Sequence, residues 1–175
     1  MNMQFISRNE KSSDLWETPL DFFEPLNREF HFTLDACASH ENHLLPKYFT
    51  IETNGLIQSW EGECVFINPP FSTFSAWIEK AYFESKKNDI TIVMIIPSRT
   101  DTKAWHNFAM KANQIRFCIP RVNFLLNKQK TKNGSTFPLS IIVFQPNKNP
   151  YPSVSSYYWK EQSKNPLKKG DVFFY

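Results

Sequence analysis

The stretch Cys64–Phe74, CVFINPPFSTF, decides how the chain is read. Cys64, Val65, Phe66 and Ile67 form an apolar run without alternation, the pattern of a strand buried on both faces. The run ends in Asn68-Pro69-Pro70-Phe71. Neither proline has an N–H to give to a sheet ladder, so the strand must stop there. It stops in a polar amide, two residues of fixed φ and an aromatic ring.

The same pattern repeats outward. Ile90–Ile96 is the most apolar run and reads as a second buried strand, closed by Pro97; Ile115–Ile119 and Phe137–Phe144 (FPLSIIVF) read as further strands. Upstream, His31–Asp35 is a short strand followed by the small-residue turn Ala36-Cys37-Ala38-Ser39, and Lys47–Thr50 is a strand ending near Glu52, with Asn54-Gly55 as a turn. Helices are predicted from Thr18-Pro19 to about Phe30, over Phe74–Lys86 and over Lys103–Lys111. Thr18 serves the first as N-cap with Pro19 in the first turn, and Phe22, Phe23 and Leu26 form its buried face. Val122–Thr136 is a polar loop. Strands alternating with helices predict an α/β fold with a central, mostly parallel sheet flanked by helices. Ligands of such sheets bind beyond the carboxyl ends of the strands. Asp35, Glu52 and Asn68 each end a proposed strand, so they are expected to converge on one edge.

A chain of 175 residues fits one domain. Residues 1–13 read as a loose arm, residues 1–150 as the domain, and residues 151–175 as a C-terminal extension packed on it or trailing from it. The tail is rich in Pro, Ser, Lys and Tyr, and reads as an irregular wrap or as partly disordered, with Trp159 and the terminal Phe173-Phe174-Tyr175 arguing against full disorder. No apolar stretch is long enough for a membrane span and the N-terminus lacks a signal-peptide core, so a cytoplasmic protein is expected. Cys37, Cys64 and Cys118 are too scattered for a disulfide framework or a CxxC site. His40 and His43 lie three apart without a third ligand cluster, so no metal is expected. Residues 1–98 carry 7 Lys+Arg against 14 Asp+Glu, a net −7, and residues 99–175 carry 13 against 3, a net +10. A split of this size suits either a basic face for a polyanion or a lysine-rich solvated surface.

Asn-Pro-Pro-Phe suits chemistry on a planar exocyclic amine such as that of adenine. The lone pair of that nitrogen is delocalised into the ring, and two acceptors aimed at its two N–H groups favour a more tetrahedral, nucleophilic nitrogen. The Asn68 side-chain oxygen and the Pro69 carbonyl are such acceptors, and the two prolines hold them in place. Phe71 offers a flat face for the base. The competing reading is a rigid turn that closes a strand.

The series DLWETP, FTLDACAS, NGL…W, VFINPPF, IPSRTDTKAWH and FPLSIIVF resembles the phage-type DNA N6-adenine methyltransferases, the phage Dam family, over about residues 14–146. The resemblance implies a Rossmann-like S-adenosylmethionine-dependent methyltransferase fold, in the cytoplasm of a bacterial or phage-infected host cell. It implies Asn68, Pro69, Pro70 and Phe71 as catalytic residues. Asp35, Ala36, Cys37 and Ala38 would form the cofactor loop, Trp16, Thr18 and Pro19 the upstream cofactor-contacting segment, and Glu52, with Asn54 close behind, the group that holds the ribose hydroxyls. One departure is visible: the four glycines stand at 55, 62, 134 and 170, none in the turn after the first strand, where Ala36, Cys37 and Ala38 substitute.

The implied partner is DNA, with the target base flipped out of the stack. Arg99, Arg121, Lys128, Lys130 and Lys132 suit phosphates, Trp105 a base face, and Asn123, Asn127, Gln129 and Asn133 base edges. Each has a plain surface or core reading beside it. Ser39–Glu63 leaves no room for a large recognition domain, so recognition falls to the loop after Arg121, the tail or a dimer partner; target sequence and oligomeric state stay open. The tetrapeptide alone also fits RNA or protein-glutamine methyltransferases. The missing glycine turn would suit a DNA-binding protein without turnover, a reading that the intact tetrapeptide opposes.

Overall fold

The computed structural model describes residues 12–131, 134–146 and 151–164. Lys132, Asn133, most of the proposed arm and the terminal aromatics lie outside the described residues. A six-stranded sheet is built from β1 (Leu34–Asp35), β2 (Val65–Ile67), β3 (Ile92–Pro97), β4 (Gln114–Ile119), β7 (Leu139–Phe144) and β8 (Ser153–Tyr158). The spatial order is β1-β2-β3-β7-β4-β8. β7 alone runs against the others, paired antiparallel to β3 and to β4, while β1–β2, β2–β3 and β4–β8 are parallel. The expected α/β class with a mostly parallel sheet is therefore what forms.

The apolar runs are explained by a sheet covered on both faces. Val65, Ile67, Ile92, Met94, Ile96, Ile142 and Phe144 face one core, with Phe74, Trp77, Ile78 and Ala81 of α2 (Phe74–Asn88). Phe66, Val93, Ile95, Ile141 and Val143 face the other, with Phe22, Phe23 and Leu26 of α1 (Leu20–Phe30). Each fully buried Val, Leu, Ile, Phe or Met among them contributes on the order of 1.5–3 kcal/mol.

Several boundaries differ from expectation. Pro19, not Thr18, caps α1: its extended backbone and missing N–H fit the cap, while Thr18 is buried. Asp21 in the first turn and Arg28 in the last complement the helix dipole. The helix from Lys103 is α3 (Lys103–Asn107), interrupted at Phe108 before a 3₁₀ turn over Ala109–Lys111. Lys47–Thr50 is no strand. It makes one isolated bridge, Tyr48 beside Asp35, before the Thr50–Asn54 turn bends the chain away. Val122–Thr136 is more ordered than a loop, because Leu125–Leu126 (β5) and Gln129–Lys130 (β6) form a hairpin. The described tail is not an irregular wrap: Ser153–Tyr158 is the sixth strand of the sheet. Trp159 opens α4 (Trp159–Lys164), packs edge-on against Phe22 at 5.6 Å and donates from Nε1 to the Pro120 carbonyl.

Candidate active site

Asn68 follows β2 directly, at its carboxyl end. Its side-chain amide nitrogen donates to the Trp16 carbonyl at 2.9 Å. A carbonyl can only accept, so this contact fixes the amide's orientation. The amide oxygen is left buried with no hydrogen-bond partner. An acceptor in that condition carries a desolvation cost of about 1–3 kcal/mol until a donor reaches it. The loop beyond is tied down: the Pro70 carbonyl accepts from the Thr73 N–H and hydroxyl, and the Ser72 N–H donates to Asp14 Oδ1 at 2.9 Å.

Phe71 departs from its expected role. Only 2% of it is exposed, with Trp16, Phe124 and Phe137 around it at 5.6–6.0 Å in edge-to-face contact. Its ring is a packed wall beneath the loop and presents no open face to a base. Trp16 stacks on Phe124 at 5.1 Å, and the next residue, Glu17, exchanges both main-chain hydrogen bonds with Leu125 of β5. Thr18 and Pro19 are buried at the start of α1, where the Pro19 carbonyl accepts from the Phe22 and Phe23 N–H groups.

Asp35 ends β1, the strand beside β2, and its register partner is Phe66, two residues before Asn68. The carboxylate is 3% exposed; Oδ2 accepts from the Leu44 N–H at 3.1 Å, and Oδ1 is buried without a partner. Burial raises its pKa to about 6, against the opposing pull of the Leu44 and Cys37 N–H groups and His43. Ala36 and Ala38 continue the turn, bonded to the Phe66 and Phe49 main chains. The Cys37 thiol is pushed up to about 12 by burial and then by Asp35, so it is no nucleophile at neutral pH.

Glu52 does not end a strand, because no strand forms there. It is exposed, and the Thr50 hydroxyl and its own main-chain N–H hold its carboxyl below the usual range. Asn54 has a left-handed backbone (φ 50°), and its side-chain oxygen accepts from the Leu56 N–H. The expected convergence therefore reduces to Asp35 and Asn68. His40 contacts the Tyr48 hydroxyl and His43 stacks on the Tyr48 ring at 4.1 Å; among the described residues no group of three side chains could hold a metal. No helix of the described residues is long and apolar enough to cross a membrane.

Known proteins share this arrangement of sequence. The family model described as DNA N-6-adenine-methyltransferase (Dam) matches residues 7–171. The chain belongs to the Dam family. The DNA N-6-adenine-methyltransferase of Haemophilus phage HP1 (strain HP1c1) is 30% identical over 163 residues, covering 89% of this chain and 92% of that protein. That of Escherichia phage T1 is 35% identical over 94 residues, covering 53% of this chain and 39% of its own.

In this Dam-family chain the proposed DNA contacts fare unequally. Trp105 is 3% exposed in the core beside Ala104 and Ala109, so it has no face for a base; its N–H is capped by the Thr102 hydroxyl. Arg99 is exposed just beyond β3, its guanidinium 5.9 Å from the Phe74 ring centre. Arg121 donates to the Ser135 carbonyl at 3.1 Å while remaining exposed. Asn127 and Lys128, both left-handed, make the tip of the β5–β6 hairpin. The Lys128 N–H donates to Glu17 Oε1 at 3.3 Å, and Lys130 pairs with Asp21 at 3.0 Å. Of the base-edge candidates, Gln129 and Asn127 are exposed and Asn123 is half-buried. Asp14, Glu17 and Leu125, which hold the tetrapeptide loop and Trp16 in place, were not expected from the sequence. They carry no chemical signature, and only the fold brings them together.

Proposed function

We propose that this chain transfers a methyl group from S-adenosylmethionine to the N6 amine of a flipped adenine in DNA, on a Rossmann-like methyltransferase fold. One observation carries the reading of the site: Asn68 holds a buried, oriented amide oxygen with no donor of its own. An adenine N–H would satisfy it, and the Pro69 carbonyl would receive the second N–H. Both contacts gain strength as the amine becomes tetrahedral and positive, which lowers the barrier more than it tightens substrate binding. No strong base is required.

The residues at the end of β1 suit the donor molecule. The unpartnered Asp35 Oδ1 is an acceptor, and S-adenosylmethionine carries an ammonium group and ribose hydroxyls that donate. Ala36, Cys37 and Ala38 keep side chains small where the main chain would approach it. When bound, the cofactor supplies an electrophilic methyl on a sulfonium. The chain's own part is to orient the amine, exclude water with the Trp16, Phe71, Phe124 and Phe137 cluster, and hold the cofactor at Asp35.

Labelled S-adenosylmethionine is incubated with the protein and unmethylated DNA, RNA or protein, followed by digestion and mass spectrometry. N6-methyladenine in DNA is expected, and label in RNA or protein alone would refute the proposal.

A further inference from the structure

The segment Asp14–Glu17 is a strap fastened on both sides. On one side Asp14 accepts from the Ser72 N–H, and the Trp16 carbonyl takes the Asn68 amide nitrogen. On the other, Glu17 exchanges two 2.9 Å main-chain bonds with Leu125, and its carboxylate accepts from the Lys128 N–H. The Trp16 ring is clamped by Phe124 at 5.1 Å and Phe137 at 5.8 Å. The Trp16 carbonyl thus has little freedom to move. Asn68 otherwise has two amide orientations of the same shape and opposite polarity, one of which would aim N–H groups at the substrate amine.

We propose that the Trp16 carbonyl is a positioning group for methyl transfer: by taking the Asn68 amide nitrogen it commits the amide oxygen to the substrate amine. This rests on the amine-acceptor role of Asn68. It also explains why the residue is Asn. An ionised Asp would set an oxygen against the Trp16 carbonyl, and only a protonated Asp could donate to it. The charged groups on the surrounding elements are Asp35 on β1, Asp14 and Glu17 on the strap, Asp21 and Lys130 between α1 and the hairpin, Lys128 at the hairpin tip and Arg99 after β3. The four acids among them would also favour a protonated Asp, so the test must separate their effect from that of the carbonyl.

The turnover number is measured for wild type and Asn68→Asp from pH 5.5 to 8.0, with saturating S-adenosylmethionine and unmethylated genomic DNA. The ratio of variant to wild type is expected to rise at least about tenfold toward pH 5.5, as a carboxyl of raised pKa takes up its proton. The pair is then repeated in a Leu125→Pro background, which removes the N–H that holds the Glu17 carbonyl and leaves every acid in place. There the rise should disappear. A flat ratio in the native strap, or an equal rise in both backgrounds, overturns the inference. Where turnover is too slow to follow, the gap in melting temperature between the Asn68→Asp protein and its parent is read in the same two backgrounds. It should narrow toward low pH only with the strap intact. A wild type that fails to methylate DNA refutes the proposed function itself; an active wild type with a flat ratio refutes only the positioning role.

Discussion

A Cβ placed on Gly55 would lie 2.2 Å from the main-chain oxygen of Ala36 and 3.2 Å from the Trp77 ring. The Asn54-Gly55 turn therefore packs directly on the main chain of the turn after β1, the turn proposed to hold the cofactor, and only a residue without a Cβ fits there. Gly55→Ala forces main chain to move, which costs about 1–3 kcal/mol as overpacking. Urea denaturation should show that loss, and calorimetry should show cofactor affinity falling more than DNA affinity. A variant as stable as wild type would mean the turn is free to shift.

Asn68→Ala removes the oriented acceptor. Turnover is expected to fall by about 10²-fold or more, the usual effect of losing one preorganised polar group. Calorimetry should find cofactor binding little changed, because the proposed cofactor contact is Asp35, not Asn68. Turnover near wild type would discard the acceptor mechanism.

The elements most legible in the sequence were those whose side chains answer to one dominant force. β2, β3 and β7 are buried on both faces, and their apolar runs say so. The inner face of α1 was visible as Phe22, Phe23 and Leu26, and Asn68 stood out because an amide followed by two prolines is a poor way to continue a strand. What was not legible depends on tertiary partners. Trp105 and Phe71 looked like stacking platforms, yet large rings gain most by burial, and sequence cannot say which face of the fold they meet. Ser153–Tyr158 looked irregular because an exposed edge strand needs no apolar alternation. Its ladder with β4 comes from main-chain groups that every sequence has. Glu52 was placed by a strand that the Thr50–Asn54 turn prevents.

Asp35 gives a pH signature. Its folded pKa, raised to about 6 from an ordinary value of 3.8, means the charged form is disfavoured in the fold. Its destabilising effect is absent below the ordinary value, grows as pH rises between the two, and is full above about 6. Asp35→Asn keeps an acceptor for the Leu44 N–H and removes the charge. It should stabilise the cofactor-free protein by up to about 3 kcal/mol at pH 8, since each tenfold change in proton affinity is worth about 1.4 kcal/mol, and by nearly nothing at pH 4. The same variant should bind S-adenosylmethionine more weakly, having lost the carboxylate that would meet the ammonium group. Thermal unfolding at the two pH values and calorimetry check both halves, and a stability gain independent of pH would remove the buried charge as its cause.

The hairpin lysines are not equivalent, although sequence alone treats them alike. Lys128 is exposed at the tip, whereas the Lys130 ammonium lies 3.0 Å from Asp21, with the two side chains 63% and 40% exposed. Each phosphate neutralised on duplex DNA contributes about 0.9 to the slope of log affinity against log salt, through counterion release. Lys128→Ala should therefore lower the slope by up to about 0.9, equally on all sequences, because phosphate contacts position the protein without reading bases. Lys130→Ala should lower it less, since Asp21 already neutralises that charge. Asp21→Asn frees Lys130, so it should strengthen binding at low salt and make the Lys130→Ala loss larger than in wild type. Fluorescence anisotropy with labelled duplexes between 50 and 200 mM salt, about the range over which such contacts are lost, measures all of these proteins. Equal slopes for wild type and Lys128→Ala would take the hairpin tip off the DNA. Equal Lys130→Ala effects with and without Asp21 would mean the ion pair does not persist in solution, and the two lysines would count alike after all.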